Sequence, residues 1–131
     1  MTAVETEVKI EVDEDLLRLT SELKDEQRVV TIHFTFHADG QEMLIRISPK
    51  TQLVSNQGGK VSSLIHAQNI VYYPYWQQVK QGKTLKFTLI FEALPNDCKT
   101  FDFIEFIPNE KGFEFYGLPR NESDIYGLTL M

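Results

Sequence analysis

Three carboxylates, Glu92, Asp102 and Glu105, come nearest to a reaction centre in this sequence. Acids on neighbouring strands can approach across a sheet, and a close pair splits its pKa values into an acid and a base. That chemistry would be a small hydrolase. Acids inside strands more often mark a solvent face, so the expectation is an enzyme-free reading with no catalytic residue. His33 and His37 come next, since imidazole is the commonest metal ligand. Four residues along a strand span about 13 Å at ~3.3 Å per residue, too far for two rings to share an ion held at ~2 Å. His66 adds a third imidazole with no acid or thiol at a useful spacing. The lone Cys98 cannot pair within the chain, and nothing specific beside it would make it a thiolate. Neither a metal nor a cofactor is expected.

Binding chemistry is better represented. Tyr72, Tyr73, Tyr75 and Trp76 place three tyrosines and the only tryptophan in five positions, interrupted by Pro74, which forbids a central strand. Such amphipathic rings can stack on a sugar, or anchor a peptide or protein interface. The competing reading is that alternate rings close the end of the core. Gly58-Gly59 lacks a following GK[ST] or helix pattern, which leaves it a turn and not a phosphate loop. Asn121-Glu122-Ser123 fits the glycosylation pattern, which carries meaning only in a secreted eukaryotic protein.

The elements that must position these groups are strands. From Phe87, every second residue is apolar, with Phe87, Leu89, Phe91 and Ala93 on one face and Thr88, Ile90, Glu92 and Leu94 on the other. Phe101 and Phe103 share a face with Glu105, opposite Asp102, Ile104 and Phe106. Bulk on both faces predicts interior strands, joined through Pro95-Asn96-Asp97 by an arch or hairpin. Residues 28–37 alternate with Ile32, Phe34 and Phe36 inward, and Ala38-Asp39-Gly40-Gln41 then predicts a hairpin into EMLIRIS. TQLVS and KVSSLIHAQNI flank a second glycine-bearing turn, so a meander is expected. FEFYGL and IYGLTLM read as late strands, with 119–125 exposed between them. At the start, Val4 to Val12 alternate as an edge strand, and Leu16, Leu19 and Leu23 mark a short helix with Asp13 as its N-cap.

Charge narrows the partners. Residues 1–27 carry nine acids against three bases, which is the whole of the net charge of −6; the body is neutral. Without a basic stripe, nucleic acid and anionic membranes are poor partners. No apolar run approaches the ~20 residues of a membrane span, and the acidic, alternating start is unlike a secretory signal. The chain as written reads as soluble and cytoplasmic, or exported if a leader has been removed.

At 131 residues the chain fits one domain able to bury a core without staples. Many short strands between turns predict a mainly β fold, specifically an immunoglobulin-like two-sheet antiparallel β-sandwich with one short N-terminal helix. ISPKTQLVSNQGGKVSSLIHAQNI, then Gly82-Lys83 with LKFTLIFEALP and FDFIE, resembles uncharacterised bacterial immunoglobulin-like domains in which an L-x-F-x-L-x-F strand precedes Leu-Pro and a D-x-I-E segment. The resemblance covers roughly residues 28–118. It implies a noncatalytic accessory or binding domain. The function expected is a binding module for a protein or glycan partner; a subunit assembling through its sheet edges is the alternative.

Overall fold

The computed structural model describes residues 29–130; the edge strand and short helix expected near the start lie outside them. Among the described residues there are nine strands: β1 (Val30–His37), β2 (Met43–Ile45), β3 (Gln52–Ser55), β4 (Val61–Gln68), β5 (Gln77–Val79), β6 (Thr84–Phe91), β7 (Thr100–Ile107), β8 (Glu110–Pro119) and β9 (Ile125–Leu130). Seven form one sheet in the order β8-β7-β3-β4-β6-β1-β9, and β2 pairs with β5 as a small ribbon. Among these residues no helix is long and apolar enough to cross a membrane.

The alternation does what its period requires. Phe87, Leu89 and Phe91 of β6, and Phe101 and Phe103 of β7, are buried on one face. β7 lies four places from β1 in the sheet, so in a flat sheet the two would stand roughly 19 Å apart at about 4.8 Å per strand. Yet Phe34 of β1 meets Phe103 of β7 edge to face at 5.5 Å. The sheet is therefore curled until its halves face each other over a phenylalanine core, which Phe34–Phe87 stacking at 4.9 Å and the Phe101–Tyr126 edge contact at 5.2 Å extend. The β2–β5 ribbon adds buried Ile45 and Val79 to the same core.

Four expectations are corrected. The sheet is mixed and not wholly antiparallel, because β9 runs parallel to β1. After β8 the chain does not fold back as a hairpin; the 120–124 turn is tied to the β6–β7 connection, and Thr31 N–H donates to Asp124 O at 2.9 Å, delivering β9 to β1. The hairpin expected at 38–41 is absent because β6 and β9 occupy both edges of β1, and Ala38 instead exchanges backbone hydrogen bonds with Lys83 and Gly82. β2 must then find β5, so the strands do not form the expected meander. Finally, the 119–125 stretch is not uniformly exposed: Asp124 is buried and chelates Arg120. The β3–β4 hairpin forms as expected, β7 and β8 pair as a second hairpin, and β6 and β7, both interior, are joined by an arch, since they do not pair.

Candidate functional site

Arg46 follows β2 and would ordinarily seek water, yet it is only 8% exposed. Its guanidinium lies 3.7 Å from the centroid of Trp76 and 4.6 Å from that of Tyr73, at distances where a cation is attracted to the face of a ring. Nη2 donates to Glu110 Oε2 at 2.6 Å and Nη1 to Pro74 O at 3.3 Å. One side chain thus joins the ribbon, the aromatic loop and the start of β8. Its Nε–H is buried with no acceptor among the described residues, where stacking and the ion pair must offset an unmet donor costing about 1–3 kcal/mol.

This hub borders a cleft of about 680 Å³. Leu44, Trp76, Glu110, Lys111, Phe113 and Tyr116 are among the residues that line it. Trp76 is 52% exposed and Tyr116 64%, and the Tyr116 hydroxyl donates to Glu114 Oε1 at 2.9 Å. That bond to the anionic Glu114 also raises the Tyr116 pKa.

Glu105 lines the cleft at 4% exposure, on the core side of β7. Its two oxygens accept Ser48 N–H at 2.8 Å and Phe113 N–H at 2.9 Å. Burial pushes its carboxyl up, against the opposing pull of those two amides and of Arg46.

The three acids weighed as catalysts all serve the backbone. Between Phe101 and Phe103, and again between Ile104 and Phe106, β8 carries one residue more than β7, which makes two bulges. Glu105 caps Phe113 N–H at one, and Asp102 accepts Gly117 N–H at 2.8 Å at the other. Glu92 accepts Ser63 N–H at 3.0 Å beside the irregularity between Leu64 and His66 on β4. Asp102 and Glu105 point to opposite faces of β7, so these two do not converge on a common cleft.

Of the four aromatic residues singled out, the structure brings Tyr73 and Trp76 onto Arg46, and only Trp76 borders the cleft. Tyr72 makes an isolated parallel bridge with Ile47, and Tyr75 is 72% exposed at a turn closed by its N–H to Tyr72 O. Two of the four rings therefore flank an arginine, and none of the four is buried in the core. Arg46, Leu44, Glu110 and Tyr116 were not anticipated; an arginine in the otherwise apolar MLIRI run, upstream of a cluster of rings able to stack on a cation, was the available signal.

His33 Nδ1 bonds Thr88 Oγ1 at 2.8 Å and His37 Nδ1 bonds Thr84 Oγ1 at 2.9 Å, each across β1 and β6. Burial lowers the His33 pKa below its ordinary 6.5. As pH falls below 6.5 the unfolded chain takes up a proton that the folded ring resists, so stability is lost on the acid side. His33→Gln is expected to flatten that part of a stability-against-pH curve measured by urea unfolding; an unchanged slope would assign it to other groups.

Compared with known proteins, the chain matches no family model, no curated protein and no solved structure.

Proposed function

We propose that the protein is a noncatalytic binding module and that its ligand seats in the cleft between Trp76 and β8. One observation carries this reading. The indole of Trp76 is held in place by Arg46 at 3.7 Å while half of it remains open to solvent at the mouth of a 680 Å³ cleft. Large aromatic side chains fixed beside a concavity are what binding hot spots are made of, and their fixed rotamers reduce the entropy lost on capture. The commitment of Glu92, Asp102 and Glu105 to backbone amides supports a noncatalytic role. The resemblance carried by the Leu85–Phe91 strand and the Asp102–Glu105 segment supports it too, and with it an immunoglobulin-like origin for the curled sheet.

Assembly through sheet edges is disfavoured at β8, where two bulges break the even spacing that another strand would need. The test is affinity capture from an extract of the native source, with retained species identified by mass spectrometry. Trp76→Ala should lower retention by about tenfold or more, the loss typical of a hot-spot ring, while circular dichroism stays unchanged. Equal retention by the variant would remove the cleft from the function.

A further inference from the structure

We propose that the ligand of this cleft is a neutral oligosaccharide, an inference that rests on the binding-module reading above. Three features of the site select against other chemistries. First, Trp76 already carries a cation: the guanidinium of Arg46 occupies one face at 3.7 Å. A second cation on the opposite face would be repelled through the ring, so the usual aromatic recognition of ammonium groups is weakened here. The exposed part of the ring instead suits an uncharged surface held by dispersion, such as the C–H face of a pyranose.

Second, among the described residues the charges bordering the cleft nearly cancel, two bases against three acids. Arg46 and Lys111 face Glu105, Glu110 and Glu114, and Arg46 is itself neutralised by Glu110 at 2.6 Å. A polyanion finds no net attraction. Hydroxyls, which both donate and accept, are matched by a rim that mixes carboxylates with an ammonium group. Third, a peptide adding itself as a strand along β8 would need a regular ladder of amides, and the two bulges deny it. What remains is a ligand with flat apolar faces and a polar rim, presented to the half-exposed ring of Trp76 at a cleft that Tyr116 also lines and whose volume falls within the ~300–1,000 Å³ typical of small-ligand sites.

Trp76 is the only tryptophan, so its emission reports the site without a label. The full chain would be titrated with soluble hexaoses of β-linked glucose, xylose, mannose and N-acetylglucosamine and of α-linked glucose, each to millimolar concentration, with tetramethylammonium chloride in parallel. At least one saccharide is expected to give a saturable emission shift, weakened about tenfold or more in Tyr116→Ala and by little in Tyr116→Phe, which keeps the ring. No saturable shift with any saccharide overturns the proposal, as does a stronger response to tetramethylammonium. Retention in the capture experiment that still depends on Trp76 would then leave the binding module standing with a different ligand. Loss of both would end both.

Discussion

Arg120→Met is expected to cost about 3–5 kcal/mol of unfolding free energy, the loss usual when one partner of a buried ion pair is removed. Against the ~5–15 kcal/mol that holds a domain together, this leaves little. Arg120 grips Asp124 in two parallel hydrogen bonds of 3.0 Å, and its remaining nitrogen donates to Pro95 O and Cys98 O. Asp124 is buried and also accepts the Tyr126 hydroxyl at 3.1 Å, while that hydroxyl accepts Asn121 N–H at 3.0 Å. Burial pushes the Tyr126 phenol up, so it stays a donor to the carboxylate. Deleting the guanidinium strands a carboxylate charge inside the protein and frees the β6–β7 arch. Arg120→Met/Asp124→Asn removes both charges, and Asn tolerates the positive φ of 53° at that position. The double variant should recover more than half of the loss in urea unfolding. If it is as unstable as Arg120→Met, the penalty lies in the arch contacts and not in the stranded charge.

That knot shows which parts of this fold could be read ahead of its structure. Strand identity was legible because the period of two at Phe87, Leu89 and Phe91 depends only on nearest neighbours. Strand partnership was not, since β2 alternates as well beside β5 as beside β1, and what decides is that β6 and β9 already fill both edges of β1. Glu105 stood out in the sequence as an acid sharing a face with Phe101 and Phe103, and its burial follows from that parity. Its role did not follow, because the amides it caps belong to Ser48 and Phe113, one of them 57 residues away. Arg46 lay beyond local inference for the same reason: its carboxylate partner is 64 positions downstream.

Backbone repair and ligand capture are linked in the same place. An edge strand with open amides recruits other chains, and bulges that twist it out of register are a common defence. In β8 each bulge leaves an amide that a β7 carboxylate satisfies, so Asp102 and Glu105 let the edge be irregular without an unmet donor. The bulge at Gly112 also brings that stretch of β8 against Glu105, and both residues border the cleft. The features that spoil β8 for strand pairing thus shape the concavity beside Trp76.

The two bulge glycines separate these causes. At Gly112 an added Cβ would fall 2.9 Å from Glu105 Cβ and Cγ and against the Glu105 carbonyl oxygen, a backbone atom that cannot swing away. At Gly117 the space is open, but φ is +66°, which penalises any side chain except one that tolerates the left-handed region. Gly112→Ala should therefore cost about 3 kcal/mol, the upper range of overpacking. It should also shift Trp76 emission, because moving Glu105 and Phe113 moves the cleft wall. Gly117→Ala should cost about 1–2 kcal/mol from backbone strain alone and leave the emission unchanged. Asparagine divides them further: Gly117→Asn should be close to wild type in urea unfolding, since Asn accepts positive φ, whereas Gly112→Asn should be at least as damaging as Gly112→Ala. Equal losses at the two sites, or rescue of Gly112 by Asn, would mean that strain and not the close approach to Glu105 governs both bulges, and the tie between edge irregularity and cleft shape would fail with it.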